Sequence, residues 1–521
     1  MPDRLRVVVV GAGASGTLAA IHLLRAGLPL ELVLVDRSGE FGPGRAYRTG
    51  DPGHLLNTAA GKMSALADDP GHFARWAGCG AEDFLPRGEY GRYLAETLRA
   101  TERAAAEPLR AEEGAAAETL RAEEGAADET PRTDENAADE TPRPNENAAA
   151  KTLRTDESAV AETPRTDESA AAETSRAAEG AAASYATGSR PTSPTTVHHI
   201  ADTATGLTSS STGVTVTLSR TGPLRADFAV LAPGVGTSDP LAGLLPENSP
   251  RYVSDPWAAP LPETGGAPVL VLGTGLSMMD VSVAVARDSV VHAVSRHGLL
   301  PQPHKRGTGP EPSLPEPPKR GSLGELMAFV RRSVSANPDR WRDVLDQLRP
   351  HTHRLWRQLD VPERRRFLDR VGHYWNVHRH RAAPTTHRRV RELVDEGRVR
   401  LHRGQVTAVR PAGEGFHVDL AGPRGSRTLT VGWLVNATGF RHDGGPLVRD
   451  LVADGTARPD PIGLGVRTRP DGRVLDERGL PCRIFTLGAL RRGELFESTA
   501  VPEIRAQAAE IAATVAAHRT R

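Results

Sequence analysis

The sequence predicts an α/β protein made of two nested Rossmann-like dinucleotide-binding domains. Three observations carry this. "RVVVVGAGASG" (6–16) and "VLVLGTGLSMMD" (269–280) are both apolar runs that end in Gly-x-Gly. A β-rich unit ending in a small-residue turn occurs twice, closing as "FAVLAPG" and as "WLVNATG". The length of 521 residues exceeds what one core usually organises.

The elements follow in chain order. Arg6 to Val10 reads as a buried strand, Ser15 to Ala26 as a helix and Leu30 to Val35 as a second strand. "EYGRYLAETLRA" predicts a helix before an internal repeat. That repeat spans residues 104–180 with a period of eleven, from "AAAEPLRAEEG" to "AAAETSRAAEG". It has almost no bulky apolar stripe, and Pro108, Pro131, Pro142, Pro144 and Pro164 interrupt it. Such a segment is expected to be disordered or only transiently helical, a tolerated insert or a tether for a partner. Strands are expected from Val197 to Gly234. Pro301 to Pro318 reads as Pro-rich and exposed. Gly324 to Arg381 reads as helical, followed by the strands "VRLHRGQVTAVR", "GFHVDL" and "VGWLVNATG". "IFTLGAL" is a last strand and Val501 to His518 a closing helix. The expected division is 1–103, 191–262 and 436–521 for the first domain and 263–435 for the second. A helical insertion falls at about 322–384, and residues 104–190 are the repeat insert.

Lys+Arg and Asp+Glu both total 65, so no global field favours nucleic acid or an anionic membrane. No apolar run reaches the length of a membrane span. The N-terminal basic residues and "VVVV" lead straight into the glycine motif, and a signal peptide cut there would destroy it; the expectation is a cytoplasmic protein. The two cysteines, Cys79 and Cys482, form no CxxC. A disulfide framework, a zinc site and a dithiol redox centre are not expected.

In the first turn Gly11, Gly13 and Gly16 fill GxGxxG. Gly11 permits the tight turn, Gly13 the approach of a pyrophosphate, and Gly16 the packing of helix on strand. Ala14 and Ser15 open the helix whose N-terminus faces the phosphates. Asp36, 20 residues beyond Gly16 and followed by Arg37, stands where an acid binds ribose hydroxyls. The second turn has Gly273, Thr274, Gly275 and Ser277, with Met278 in the third glycine place. The strand after it ends at Ser295 and Arg296, a cation where an acid would hold an NAD ribose. A cation there suits a 2′-phosphate, although it can also merely cap a strand end. The reading is FAD at the first turn and NADPH at the second, a hydride relay.

These motifs resemble the two-dinucleotide-binding flavoproteins, and within them a bacterial group that includes an FAD-dependent urate hydroxylase and a nitrosuccinate-forming aspartate N-monooxygenase. The matching stretches include "FGPGRAYRTGDPGHLLNTAAGKMSALADDPGHFARW", "PRGEYGRYL", "VSDPW", "AVSRHGLLPQPH", "WNVHRHRAAP" and "LGALRRGELFESTAVPEIRAQA". Two departures stand out. His297 replaces a second arginine common after the position of Arg296, and the repeat is foreign to the pattern. The resemblance implies that Asn57, Met63 and Ser64 lie near the flavin, that Gly488 ends the last strand of the FAD domain, and that Glu497 to Arg505 runs past the flavin ring. His304 is a second-turn candidate by family position only.

"YWNVHRHRAAP" places His378, Arg379, His380 and Arg381 in a row. The run reads either as a solvated charged face or as a pocket for an anion, with Arg379 and Arg381 as substrate candidates. No metal is expected. The function expected is an FAD- and NADPH-dependent monooxygenase that uses O₂, through a flavin hydroperoxide, to hydroxylate a small polar, amino-acid-like substrate. An NADPH-dependent reductase without oxygen insertion and a non-catalytic nucleotide-binding protein remain the alternatives.

Overall fold

The computed structural model describes residues 4–125, 195–245, 249–305 and 311–519. A six-stranded sheet runs in the order Arg473–Leu475, Pro481–Thr486, Phe228–Leu231, Leu5–Val10, Leu30–Val35, Thr196–Ile200. All pairs except that of the two C-terminal strands are parallel. The run of valines at its centre is buried on both faces, and period-two alternation divides it. Val7 and Val9 pack with Leu18, Ile21 and Ile511 of helices Ala14–Arg25 and Val501–Arg519. Val8 and Val10 pack with Val214 and Val216 of an antiparallel three-stranded sheet, Ala204–Ser209, Val214–Leu218 and Gly222–Ala226.

The second sheet repeats the plan. Its order is Val399–Arg403, Val291–Ser295, Val269–Leu272, Trp433–Asn436, Tyr252–Val253, all parallel. Val269 and Val271 face Met278, Met279 and Val390 on the helical side. Leu270 and Leu272 face Phe416 and Val418 of a second antiparallel triplet, Gln405–Ala412, Gly415–Gly422 and Gly425–Val431. Two strands of two residues, Gly236–Thr237 and Phe440–Arg441, pair antiparallel where the chain leaves the first module and returns to it. Asn436 closes this crossing: its Nδ2 donates to the carbonyls of Ser238 and Ser254, and its Oδ1 accepts from Thr438.

The insertion consists of helices Leu323–Ala336, Trp341–Leu348, Thr352–Arg357, Val361–Arg370 and Gly372–Arg379. Trp356, Phe367 and Leu326 form its core together with Phe496 of the first module.

Two expectations need correction. The helix expected to stop before the repeat runs from Arg87 to Gly125, through Pro108 and the first two repeat units; their Ala, Glu, Leu and Arg are strong helix formers. The rest of the repeat lies outside the described residues. The Pro-rich segment is not simply exposed. Pro301, Pro312 and Pro317 are buried. The carbonyls of Pro303, Pro312 and Pro318 accept hydrogen bonds from Arg342, Gln347 and Arg354 of the insertion. Prolines offer carbonyls without competing N–H donors, so they strap well onto arginine-rich helices.

Candidate functional site

At the first turn Gly11 has φ +93° and its N–H donates to the Val35 carbonyl at 2.8 Å. A Cβ there would lie 2.2 Å from the Ala232 carbonyl oxygen, and one on Gly16 would lie 1.8 Å from that of Gly11. Both positions are therefore closed to any side chain. Gly13 faces Gly44, whose Cα would sit 3.2 Å from an added Cβ. Helix Ala14–Arg25 has no side-chain cap and no acid in its first turn. Gly488, at φ +71°, comes up beside Ser15: a Cβ on it would lie 3.1 Å from Ser15 Oγ. The result is a cradle of backbone around an uncapped helix N-terminus, which fits a pyrophosphate. Asp36 is partly committed: Oδ2 accepts from Ala12 N–H at 2.9 Å and Oδ1 from the Ser38 hydroxyl at 2.6 Å. It ties strand end to turn, and Arg37 beside it is exposed.

The loop candidates divide. The Asn57 carbonyl accepts from His304 Nε2 at 2.9 Å, which joins the two modules. Met63 is buried in the core of the first module. The Ser64 hydroxyl is spent on its own loop, donating to the Asp69 carbonyl at 2.6 Å, while the Ser64 carbonyl accepts from Arg505 at 2.9 Å.

At the second turn Gly273 has φ +104°, and a Cβ would lie 2.3 Å from the Ala437 carbonyl oxygen. Gly275 differs, because a Cβ on it meets nothing within 4 Å. Helix Leu276–Val285 starts there without a side-chain cap or an acid in its first turn, and Ser277 lies within that turn. Thr274 is structural: its hydroxyl bonds Ser295 Oγ at 2.7 Å and the Leu299 carbonyl at 2.6 Å. Met278 is fully buried in the core. Arg296 is exposed and forms no ion pair among the described residues.

The run 378–381 is neither a solvated face nor a set of free cations. Arg379 forms a forked ion pair with Glu497, at 2.7 Å from Nη2 to Oε2, and the side chains are 12 % and 7 % exposed. Arg381, 3 % exposed, grips Asp346 at 2.7 and 3.0 Å. A third fork joins Arg349 to Glu503 at 2.6 and 2.7 Å. Burial, with Arg379, Arg492 and Arg349 around it, lowers the pKa of His380 to about 3 and keeps it neutral.

Sequence reading missed what holds the segment 488–505. Phe496 has φ +62°, a strained value for an aromatic residue, and its ring stacks on Trp356 with centroids 4.5 Å apart. This bend lets Glu497 reach Arg379 while the Glu497 carbonyl accepts from His353 at 2.7 Å. Gln507 accepts from Gly488 N–H at 3.0 Å and donates to the carbonyls of Ser498 and Glu503. Ser498 is completely buried, yet its hydroxyl has no partner. A buried hydroxyl without a partner, on a loop strained into place beside the cradle, fits the polar edge of a bound ring system. Among the described residues no group of three His, Cys, Asp or Glu side chains could hold a metal ion, and both cysteines are free. No helix among them is long and apolar enough to cross a membrane.

Two sheets, one all parallel and one parallel but for its C-terminal edge strand, each with a glycine turn and each covered by helices and an antiparallel triplet, define the two-dinucleotide-binding α/β class. The FAD-NAD(P)-binding family profile matches residues 8–139, the part that contains the first turn. No curated protein matches the chain. Among solved structures it is similar to the ornithine N-hydroxylase of Kutzneria sp. 744 with reduced FAD, NADP⁺ and L-ornithine. The TM-score is 0.55 and the identity 14 %, over 100 % of both chains. It is similar to the L-lysine 6-monooxygenase of Pseudomonas syringae, with a TM-score of 0.55 and 14 % identity, again over 100 % of both. The bacillithiol disulfide reductase of Staphylococcus aureus gives 0.53 and 10 % identity, over 99 % of this chain and 98 % of that one. At these identities the common property is the fold.

Proposed function

We propose that the chain is an FAD- and NADPH-dependent monooxygenase that hydroxylates a small, polar, amino-acid-like substrate with O₂, akin to the group that includes aspartate N-monooxygenase and urate hydroxylase. The observation that carries this reading is the pair of uncapped glycine turns of opposite character, Asp36 following one and Arg296 the other. Two of the similar structures are named an ornithine N-hydroxylase and an L-lysine 6-monooxygenase, which favours oxygenation over simple reduction. The absence of a CxxC sets the chain apart from dithiol chemistry.

In this reading the cradle of Gly11, Gly13, Ala14, Ser15, Gly16 and Gly488 holds FAD, with Asp36 and Arg37 at its ribose end. Gly273, Thr274, Gly275, Ser277 and Arg296 form the NADPH side. Bound FAD supplies hydride acceptance and oxygen activation. The polypeptide supplies orientation, charge and exclusion of water. The uncapped N-termini of helices Ala14–Arg25 and Leu276–Val285 would face the pyrophosphates and offset part of their charge. The Arg379–Glu497 and Arg349–Glu503 forks fix the loop from Phe496 to the closing helix. Trp356, Phe367 and Phe496 wall that loop from solvent. His380, held neutral among arginines, adds no further cation. Substrate contact by Arg379 would have to use what its fork with Glu497 leaves over, and Arg381 is fully engaged. The first module then comprises both ends of the chain and the second the middle, with a cytoplasmic location where NADPH is available.

The test is NADPH and O₂ consumption by the purified yellow protein with a panel of amino acids, diamines and urate, with assay of hydroxylated product. Substrate-dependent product matched to NADPH is the expected result. NADPH oxidation that yields only hydrogen peroxide or reduced flavin with every compound would establish the reductase reading. No NADPH oxidation would leave a nucleotide-binding protein without this chemistry.

A further inference from the structure

Beside Arg296, the end of strand Val291–Ser295 holds two stacked imidazoles that the coenzyme reading does not use. Ser295 Oγ accepts from Gly298 N–H at 3.0 Å and bonds Thr274 Oγ1, so the loop carrying Arg296 and His297 is fixed to the second turn. The His297 ring lies flat on that of His373, with centroids 3.8 Å apart and planes 7° from parallel. His373 belongs to the insertion helix Gly372–Arg379 and leans on Tyr374, centroids 4.2 Å apart; Tyr374 is 53 % exposed. Burial, with His297 and Arg296 beside it, lowers the pKa of His373 below the usual imidazole value. A guanidinium and two imidazoles therefore gather at one half-exposed strand end, and no ion pair with a carboxylate neutralises any of them among the described residues.

An anion placed beside Arg296 would favour the protonated His373 ring, so the cluster gains charge-assisted donors when such an anion binds. Two stacked rings also offer a flat face and N–H donors at the edge. The position after a dinucleotide turn selects which anion: the end of the second strand is where the adenosine ribose is read, and the group that distinguishes one coenzyme there is a phosphomonoester. We propose that His373, stacked on His297, completes with Arg296 a subsite for the coenzyme 2′-phosphate, so that the helical insertion takes part in coenzyme choice. The imidazole pair then stands in for the second arginine that His297 replaces. The same helix ends at Arg379, six residues and about 9 Å further on, in the fork with Glu497. One rigid element thus touches both the 2′-phosphate subsite and the loop at the flavin side. The proposal rests on the reading of NADPH at the second turn.

The experiment titrates the FAD-loaded protein calorimetrically with adenosine 2′,5′-bisphosphate and with AMP. The wild type is expected to bind the bisphosphate at least about tenfold more tightly. His373→Phe keeps a flat ring and removes the donors. It is expected to cut that preference about fivefold, with AMP affinity unchanged, and His373→Arg to restore it. His297→Phe, made separately, is expected to give the same loss, so failure of one variant to fold leaves the other as the test. An unchanged ratio in the phenylalanine variants, or equal losses for both ligands, overturns the His373 subsite while the NADPH reading stands. A wild type with no preference for the bisphosphate overturns both.

Discussion

Arg87 and Asp280 meet at 2.7 Å across the two modules, their side chains 16 % and 5 % exposed. Arg87 opens helix Arg87–Gly125, and Asp280 lies in the helix that follows the second turn. The guanidinium also donates from Nε to the Leu55 carbonyl at 3.1 Å and sits 5.0 Å over the Trp257 ring. Burial raises the Asp280 pKa to about 6 even against the pull of Arg87. Desolvation therefore outweighs the Coulombic gain, and the pair serves geometry more than stability. Asp280→Ala leaves a buried cation and is expected to cost about 3–5 kcal/mol. Arg87→Met with Asp280→Leu is expected to recover most of that loss. Urea unfolding of the FAD-loaded protein measures both. A single substitution costing under about 1 kcal/mol would mean that the pair is solvated, as surface pairs are.

Acid sensitivity follows from imidazoles held neutral. Burial lowers the pKa of His22 to about 4, its ring donating to the Ala65 carbonyl at 3.2 Å. Burial also lowers His402 and His442 to about 4. A base whose folded pKa is depressed leaves stability intact above its unfolded pKa of about 6.5 and loses it as pH falls towards the folded value. Asp280, raised, acts in the opposite sense between its ordinary carboxylate range and pH 6, but it is one group against several. The denaturation midpoint is expected to fall steadily from pH 6.5 to 4. His22→Gln keeps a donor and cannot titrate, so the drop between pH 7 and pH 5 should shrink by about 2 kcal/mol. An unchanged drop would show that His22 is protonated in the folded state.

Glycines at the two turns are expected to fail differently. Gly16→Ala forces a Cβ to 1.8 Å from the Gly11 carbonyl oxygen, so the variant should lose its fold around the first turn together with its flavin. Gly275→Val places its Cβ in open space. It should keep flavin content and melting temperature while NADPH binding weakens at least about tenfold, because only the ligand is obstructed. Flavin absorbance, thermal unfolding and coenzyme titration separate the cases. Loss of flavin from the second variant would break the assignment of one nucleotide to each turn.

What the sequence showed and what it hid divide by range. The glycine turns were legible because their demands are local: Gly11 and Gly273 need positive φ and room at the Cβ, and the valines beside them need two buried faces. The ion forks were not. Arg379 finds Glu497 118 residues away, and Arg381 finds Asp346 35 residues back. A row of cations looks solvated or ligand-binding until its partners are folded against it. The extent of helix Arg87–Gly125 was hidden for another reason: Pro108 is a helix breaker in isolation, yet the Ala, Glu and Leu around it carry the helix through. Ser64 looked like a cofactor contact, but its hydroxyl is satisfied within its own loop. Ser498 drew no notice, yet it is completely buried and its hydroxyl has no partner.

Coenzyme choice gives the sharpest separation of ligand effect from fold effect. Arg296 is exposed and has no ion-pair partner among the described residues, so Arg296→Ala removes no structural contact. Ser295, on its other side, keeps the strand end tied to Thr274 whatever follows it. The variant should therefore fold, stay yellow and melt as the wild type does. A charge-assisted contact to a phosphate is worth about 1.5–3 kcal/mol. At about 1.4 kcal/mol per tenfold, one such contact gives a preference for NADPH over NADH of about ten- to a hundredfold. Flavin reduction by each coenzyme, followed in wild type and variant, measures it. The KM for NADPH is expected to rise by that factor in Arg296→Ala, and the KM for NADH to stay within about twofold. Equal rates with both coenzymes in the wild type, or equal losses in the variant, would remove Arg296 from the coenzyme site and with it the reason for naming NADPH as the electron donor.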